Sequence, residues 1–486
     1  MKEKFLENQF LVLYLIPFIL GSLTVFSFQP FNFTIINFFI LPICFYLITF
    51  INKKSKSTYR NKPYRKNLFF FGSSFGFGYY LSGIHWIAYS LTFDDSFKFL
   101  IPVSLLLIPL FLSLFFSMIA LVIGPYLKLN LQSIFLFSGS IAFSDYIRSK
   151  IFTGFPWNLW SYSFSSSIEI LQILNLLGLF AFNLIIISFF MAPTVLFLKI
   201  KLNKKIFSLI FLSIIFFSFY IYGNYLINQN LKIIDSIPNK YNIKVVSPNF
   251  ELEYNIPNEK IIKKLEKLIR YSAPEKNYKT LFVWPEGVFS GYSFSQILQF
   301  KKMFNDNFDK NHLILFGVNR LDLESKNFFN SAIIINNKME ILQEYKKQKL
   351  VPFGEFLPFE VILKKLGLKK ITEGYGSFLA GKDQGNLIFN KLNILVLICY
   401  EIIFTELPQL SHEDTNLIVN ISEDGWFGNS IGPYQHFAKG VFRAIENNVY
   451  VIRSANKGVT AIINNKGEIV KKLNPREAGN IEYQVP

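Results

Sequence analysis

Cysteine, histidine and tryptophan are scarce in this chain, and their scarcity excludes several kinds of site. The sequence has two cysteines, four histidines and five tryptophans. Because Cys44 lies inside a long apolar run, the two cysteines cannot form a disulfide framework or a cysteine-based zinc site. The histidines show no metal-binding spacing such as HExxH. We therefore expect a reaction that needs no metal and no other cofactor.

Acidic residues are also few, since 33 Asp and Glu stand against 50 Lys and Arg and leave a net charge of +17. This charge does not indicate nucleic-acid binding, because many of the cations lie in short loops between apolar runs. Hydrophobic residues make up 51% of the sequence, with 57 Phe, and they are concentrated in the first half. We predict a transmembrane domain at 1–228 and a soluble domain at 229–486.

Seven apolar runs in the first half predict membrane-spanning helices, which need about 20 apolar residues each. They are residues 9–27, 32–51, 68–90, 99–124, 131–147, 171–197 and 206–226, with Asp145 and Arg148 near the end of the fifth. The loops after the second, fourth and sixth runs carry Lys and Arg, which places them on the cytoplasmic side. The loop with Asp94 and Asp95 then faces outward, and the soluble domain emerges outside the membrane.

Two aromatic segments of the membrane domain have two possible interpretations. Trp86 lies in the segment 81–90, and Trp157 and Trp160 lie in the segment 148–163. Aromatic residues near span ends are typical of an interfacial belt. Alternatively, these segments shape a route for lipid, because irregular backbone at membrane depth has to be shielded by protein or water.

In the second half, apolar runs alternate with amphipathic helices. The predicted strands are 243–249, 280–286, 312–319, 331–337, 394–400, 416–422, 450–456 and 460–465, and the predicted helices are 258–272, 294–308, 402–410 and 434–447. Strands that are apolar on both faces, with helices between them, are typical of a layered α/β domain.

Cys399 is the first candidate for a reactive residue, because it ends a predicted strand and is followed by Tyr400 and Glu401. A cysteine in such a run is more often a small buried hydrophobic residue. A strand-to-helix turn can instead expose the side chain, aim backbone N–H groups at an oxyanion and favour the thiolate. A thiolate that attacks an ester gives a thioester, which can pass its acyl group to an amine.

Three more candidates lie near strand ends, namely Glu286 in WPEG, and Lys347 and Glu355 in YKKQKLVPFGEFLPFE. Glu286 is either an ordinary loop carboxylate or a desolvated proton shuttle. Lys347 stands beside Lys346 and Lys349, and such a run is normally a solvated face. An inward lysine would stabilise a thiolate and could pair with Glu355, but the spacing does not choose among the three lysines.

The motifs WPEG, KxxLVPFGE and CYE, in this order, resemble the Glu–Lys–Cys triad of the nitrilase superfamily. LVPFGEFLPFE and GWFGNSIGPYQH, with SGIHW and TGFPW in the first half, resemble one branch, the apolipoprotein N-acyltransferases of bacterial inner membranes. The likeness covers nearly the whole chain. It implies a multi-span α-helical membrane domain followed by a nitrilase-like α/β domain, an α-β-β-α sandwich.

The resemblance also implies a reaction and a location. Cys399 would take an acyl chain from a phospholipid, usually phosphatidylethanolamine, and pass it to the α-amine of a diacylglyceryl-cysteine apolipoprotein. By motif position, Glu286 is the general base and Lys347 the triad lysine. The family spacing to LVPFGE thus selects Lys347 among the three lysines. The implied location is the inner membrane, with the catalytic domain in the periplasm. The residues that match other required positions are Glu355, Tyr400 and Glu401.

Three features depart from the family pattern. Where the family usually reads Asn–Asp–Ala–Trp–Phe–Gly, residues 423–428 read EDGWFG, and a tryptophan common early in the soluble domain is replaced near Tyr254. The family normally ends with one more membrane helix, whereas this sequence ends at Pro486. The first two departures concern the acyl pocket, and the third concerns how the domain is held to the bilayer.

Two other functions remain as alternatives. A membrane-tethered amidase of the same superfamily would use the same triad and let water resolve the acyl-enzyme. A transporter with a degenerate accessory domain is the second alternative, although the spans lack the paired charges expected along a substrate path. The membrane half and the LVPFGE and GPYQH segments favour acyl transfer.

Overall fold

The computed structural model describes residues 8–58, 64–236, 241–253, 256–276, 278–365, 370, 376–382, 386–389, 392–410 and 415–485. Tyr254, and part of the cationic loop after the second predicted span, lie outside the described residues. The chain forms two compact units, Met1–Tyr225 and Leu226–Pro486.

The first unit is built from helices that are mostly long and apolar. Its α-helices are α1 (Ile16–Leu23), α2 (Asn37–Thr58), α3 (Tyr64–Ile84), α4 (Ile101–Val122), α5 (Leu131–Lys150), α6 (Ile168–Leu171), α7 (Leu174–Phe190) and α8 (Leu202–Ser236). Helical turns of the 3-10 type include His85–Thr92 and Trp160–Phe164. Helix α7 has a break at Gly178, where φ is 72°.

Among the described residues, four helices are long and apolar enough to cross a membrane. They are Thr34–Lys53, Asp95–Tyr126, Leu174–Phe197 and Leu202–Asn230. The other three predicted spans coincide with a shorter apolar helix, Leu11–Ser27, and with α3 and α5. A multi-span helical domain is therefore confirmed, while the number of seven spans stays a prediction.

The charges near the end of the fifth predicted span form a buried pair. Arg148 Nη2 donates to Asp145 Oδ1 at 2.8 Å, and Asn183 Nδ2 donates to Asp145 Oδ2 at 3.0 Å. Arg148 also donates to the carbonyl of Phe155. Because the charge is paired and hydrogen-bonded, α5 can carry it in an apolar setting.

The tryptophans of the two aromatic segments are buried rather than exposed to lipid. The rings of Trp86 and Trp157 pack against each other in a tilted arrangement with centroids 4.7 Å apart, and Trp160 is fully buried. This burial does not fit an interfacial belt. It agrees with an irregular segment that protein shields, and the Arg148 contact to Phe155 helps to hold that segment.

Helix α3 packs against α1 and against α4, with glycine at both contacts. A Cβ atom on Gly78 would lie 2.2 Å from the carbonyl oxygen of Phe18 in α1. A Cβ atom on Gly72 would lie 2.6 Å from the carbonyl oxygen of Phe116 in α4. Glycine thus lets the helix backbones approach closely, as is typical of membrane helices.

The second unit contains two six-stranded sheets. The strands are β1 (Tyr241–Ser247), β2 (Thr280–Val283), β3 (His312–Leu321), β4 (Phe328–Asn336), β5 (Ile341–Lys346), β6 (Leu387–Phe389), β7 (Leu392–Ile398), β8 (Leu417–Glu423), β9 (Tyr450–Asn456), β10 (Thr460–Ile463), β11 (Ile469–Leu473) and β12 (Gly479–Val485). One sheet has the order β12-β1-β2-β3-β4-β5, and the other β11-β10-β9-β8-β7-β6. In each sheet three central strands are parallel, β1-β2-β3 and β7-β8-β9, and the outer pairings are antiparallel.

Six further α-helices are described in this unit. They are α9 (Asn258–Ser272), α10 (Phe294–Ile297), α11 (Lys301–Asn307), α12 (Glu360–Lys365), α13 (Glu406–Leu410) and α14 (Gly432–Asn447). One core, with Val283 and Ile398, lies between the sheets, and a second, with Phe282 and Trp284, lies beneath α9 to α11. The expected α-β-β-α sandwich is therefore confirmed. It brings the carboxyl ends of the parallel strands of both sheets to one region.

The close approach of α1 and α3 can be tested with Gly78→Ala. A methyl group at this position forces the helices apart, and overpacking of this kind costs roughly 1–3 kcal/mol. We expect the midpoint of thermal unfolding in detergent to fall by several degrees. Gly139→Ala in α5 is the matched control, because nothing lies within 4 Å of its Cβ position. Equal midpoints for the two variants would contradict the close contact.

Candidate active site

The predicted site residues all lie in loops or turns that follow strands. Glu286 follows β2, Lys347 comes directly after β5, and Cys399 comes directly after β7. Glu355 lies in the loop between β5 and α12, and Glu401 lies in the 3-10 turn Cys399–Ile403. The structure brings these side chains together from both sheets.

At the centre of the cluster, the Lys347 ammonium group lies between two carboxylates. Its Nζ atom is 3.0 Å from Glu355 Oε1 and 3.6 Å from Glu286 Oε1. Asn330 Nδ2 is 2.8 Å from Glu286 Oε1 and 2.7 Å from Glu355 Oε1, so it bridges the same two oxygens. Burial alone lowers the pKa of Lys347, but Glu355 and Glu286 more than reverse this effect and raise it above its ordinary value. The lysine is therefore charged, and it holds both carboxylates in place.

The other two lysines of the run have different surroundings. Lys346 Nζ lies 4.3 Å from the centre of the Phe329 ring, and Lys349 Nζ lies 3.3 Å from Glu406 Oε1. Only 1% of the Lys347 side chain is exposed. The structure thus distinguishes the three lysines by burial and by partners, which the spacing alone could not do.

Cys399 lies at a sharp turn between β7 and the 3-10 turn. Its φ is 51°, a left-handed conformation that is uncommon outside glycine. The predicted strand 394–400 ends two residues too late, because the chain turns at Cys399. Burial, and then the nearby Glu286, raise the pKa of the thiol, while Lys347 acts in the opposite direction. The net effect is opposite to the thiolate expected from the sequence, so a base must take the proton when the thiol reacts.

Glu401 ties the loop of Lys347 to the turn of Cys399. Its Oε1 accepts hydrogen bonds from the Tyr345 hydroxyl at 3.0 Å and from the backbone N–H groups of Gln348 at 2.7 Å and Lys349 at 3.0 Å. Its Oε2 accepts from the Ile398 N–H at 2.8 Å. Burial raises the pKa of Glu401 to about 7, although these backbone donors lower it in part.

The other two supporting residues have clear surroundings. Both oxygens of Glu355 are engaged, since Oε2 accepts from the Val351 N–H at 2.8 Å. Tyr400 is buried, and its ring packs edge-on against Phe404 with centroids 5.1 Å apart. This packing supports the 3-10 turn Cys399–Ile403.

Glu423 belongs to the same cluster and was not predicted as a site residue. Its backbone N–H donates to Glu286 Oε2 at 3.1 Å, and its carboxylate accepts from Asn456 Nδ2 at 2.8 Å and from the Gly425 N–H at 2.9 Å. Burial raises the pKa of Glu423 to about 8, and Asn456 and Gly425 partly oppose this rise. Glu423 thus helps to orient Glu286.

Several polar residues around the site were also missed by sequence reasoning. Asn330, Ser422 and Arg453 lie within otherwise apolar strands, which was the signal available in the sequence. The others are Tyr345 in β5, Asp424 directly after β8 and His436 on α14. In the described part of the chain, no group of three or more His, Cys, Asp or Glu could hold a metal ion.

Comparison with known proteins gives the same division of the chain into two types of domain. Residues 20–192 match the family of the apolipoprotein N-acyltransferase N-terminal domain, and residues 248–486 match the carbon-nitrogen hydrolase family. The chain is 30% identical to the apolipoprotein N-acyltransferase of Brucella melitensis biotype 1, over 97% of this chain and 89% of that protein. The chain belongs to the apolipoprotein N-acyltransferase family.

A second relative supports this membership. The apolipoprotein N-acyltransferase of Rickettsia typhi is 30% identical over 97% of this chain and 92% of its own length. Among solved structures, Saccharomyces cerevisiae Nit3 of the nitrilase superfamily has a TM-score of 0.38, with 18% identity over 51% of this chain and 90% of that chain.

The selection of Lys347 can be tested by replacing each lysine with methionine. We expect Lys347→Met to lower the rate of acyl transfer by about 100-fold or more, because a buried cation of the site is lost and two carboxylates are left facing each other. The rate is measured with purified enzyme in detergent. Lys346→Met, the matched control, should keep its rate, since Lys346 lies over the Phe329 ring. Equal rates for the two variants would show that the site does not depend on Lys347 in particular.

Proposed function

We propose that this chain transfers an acyl chain from a phospholipid to the N-terminal amine of diacylglyceryl-cysteine apolipoproteins, through a thioester on Cys399. Family membership makes the chain an acyltransferase of lipoprotein N-acylation. The observation that carries the proposed mechanism is the buried Lys347 between Glu286 and Glu355, at the strand ends that also bear Cys399. In this proposal Glu286, Lys347 and Cys399 form the catalytic triad.

In the first half-reaction, Glu286 takes the proton of the Cys399 thiol as the sulfur attacks the ester carbonyl of the phospholipid. Lys347 stabilises the negative charge of the tetrahedral intermediate. The intermediate collapses to the thioester, and Glu286 returns the proton to the leaving alcohol, which departs as a lysophospholipid. The rise in the pKa of the thiol by burial makes this proton transfer necessary.

In the second half-reaction, the amine of the apolipoprotein attacks the thioester carbonyl. Glu286 accepts a proton from the attacking nitrogen and passes it to the departing Cys399 sulfur, so the enzyme returns to its starting state. The product is an amide. Phosphatidylethanolamine is the proposed acyl donor, in keeping with the family resemblance.

We place the enzyme in the bacterial inner membrane, with residues 1–228 as the membrane domain and residues 229–486 as the periplasmic catalytic domain. Two observations support this placement. Most apolar side chains of Leu202–Asn230 are exposed, which fits contact with lipid. The loops after the second, fourth and sixth predicted spans carry Lys and Arg. The positive-inside rule assigns such loops to the cytoplasm.

The thioester is tested by incubating purified enzyme with a phospholipid that carries a labelled acyl chain. We expect a hydroxylamine-sensitive label on the wild-type protein, which apolipoprotein discharges as an N-acylated product. Cys399→Ala should take up no label, because the acyl group has no sulfur to bind. Cys44→Ala removes the other cysteine and should keep both label and transfer, which makes it the matched control.

Two outcomes would count against the proposal. Normal transfer by Cys399→Ala would exclude this cysteine as the nucleophile. A wild-type enzyme that releases free fatty acid from phospholipid at the same rate with and without apolipoprotein would be a hydrolase, in which water resolves the acyl-enzyme as in the amidase alternative.

The membrane orientation is tested with reporter fusions. A reporter that is active only in the periplasm should be active when fused near residue 240, and inactive when fused near residue 60, because the loop charges place these points on opposite sides. A cytoplasmic reporter at the same two points should give the complementary pattern. The reverse activities would show that the catalytic domain faces the cytoplasm.

A further inference from the structure

A ring of buried polar residues, Ser422, Asp424 and His436, lies behind Cys399. The Ser422 hydroxyl donates to Asp424 Oδ1 at 2.6 Å, and His436 Nδ1 lies 2.9 Å from the same oxygen. The other nitrogen of the imidazole, His436 Nε2, lies 3.2 Å from the carbonyl oxygen of Cys399 and links these residues to the turn. The side chains of Ser422, Asp424 and His436 are fully buried.

The charge of Asp424 is balanced by Arg453. Arg453 Nη2 donates to Asp424 Oδ2 at 2.7 Å, and the guanidinium group also donates to Asn420. Burial would raise the pKa of Asp424, but Arg453 and His436 hold it well below its usual range, so the carboxylate is ionised. Burial and then Arg453 lower the pKa of His436, while Asp424 and the Cys399 carbonyl act in the opposite direction. The buried ion pair between Asp424 and Arg453 therefore holds the ring residues in place.

The backbone of Cys399 needs such support. A left-handed conformation is unfavourable for a residue with a Cβ atom, and it persists only where the surroundings fix it. Glu401 fixes the turn on one side, through the N–H of Ile398. His436 contacts it on the other side, through the carbonyl group of Cys399. The two contacts hold the backbone before and after the Cys399 Cα atom.

We propose that Ser422, Asp424 and His436 are positioning residues, which together hold the carbonyl group of Cys399, and with it the left-handed backbone that carries the thiol, in the geometry required for attack. The inference rests on the proposed role of Cys399 as the nucleophile. The ring acts only through Cys399. The charged groups around the thiol are Glu286, Lys347 and Asp424.

Two variants test the ring, both made in a Cys44→Ala background so that Cys399 is the remaining cysteine. His436→Phe removes both nitrogen contacts and keeps an aromatic ring beside Phe427, whose centroid lies 5.3 Å away. Ser422→Ala removes one hydroxyl group. Tyr434→Phe, on the same helix and partly exposed, is the matched control.

The first measurement is the rate of Cys399 alkylation by iodoacetamide as a function of pH, which needs neither lipid nor apolipoprotein. We expect Ser422→Ala to alter the rate across the profile, because Asp424 loses the hydroxyl donor that fixes it beside His436. The second is single-turnover acylation by phospholipid. We expect His436→Phe to slow acylation by about 10–100-fold, with KM for phospholipid changed less than about twofold. Tyr434→Phe should match the parent in both measurements.

Wild-type acylation rates and alkylation profiles in both ring variants would overturn the proposal. So would a His436→Phe protein that loses thermal stability while Ser422→Ala keeps the parent profile, since the ring would then be structural only. Failure of the mechanism itself gives a different result. If Cys399 is not the nucleophile, Cys399→Ala stays active while the ring variants still alter alkylation.

Discussion

The site depends on one buried ammonium group, that of Lys347, held between the carboxylates of Glu286 and Glu355. Removal of one partner from such a cluster leaves a buried charge uncompensated, which is strongly destabilising. The surrounding structure therefore has to place these three side chains close together. Two strand ends of one sheet supply Glu286 and Lys347, and Glu401 joins the lysine loop to the Cys399 turn of the other sheet. Convergence of parallel strand ends in the sandwich makes this possible.

The two carboxylates around Lys347 are not equivalent. Glu355 lies closer to Nζ, at 3.0 Å, and accepts a further bond from the Val351 N–H. Glu286 lies at 3.6 Å, and a backbone N–H from Glu423 orients it. Two carboxylates thus share one lysine, and they are held to different degrees. This asymmetry fits the proposed roles of Glu286 as base and of Glu355 as support.

The sequence predicted those parts of the fold that depend on local pattern. The amphipathic helix at 258–272 was placed with both ends correct, and the central strands were found from their continuous apolar runs. Strands β5, β6, β11 and β12 were missed, because they lie at or near sheet edges and most carry charged or polar residues. Lys347 was selected by family resemblance, whereas its burial and its bridge through Asn330 depend on pairings distant in sequence. Such pairings have no local signature.

Three buried ionic contacts of this chain differ in the number of carboxylates that share one cation. Asp145 with Arg148, and Asp424 with Arg453, are balanced pairs of one acid and one base. Each can fix a segment, but neither has a second carboxylate within ion-pair distance of its arginine in the part of the chain that the structure describes. Around Lys347 two carboxylates share one cation. The extra carboxylate lies near a thiol whose pKa is raised by burial. Burial makes the charge expensive in all three places, and the extra carboxylate at Lys347 supports the proposed roles of Glu286 as base and of Cys399 as nucleophile.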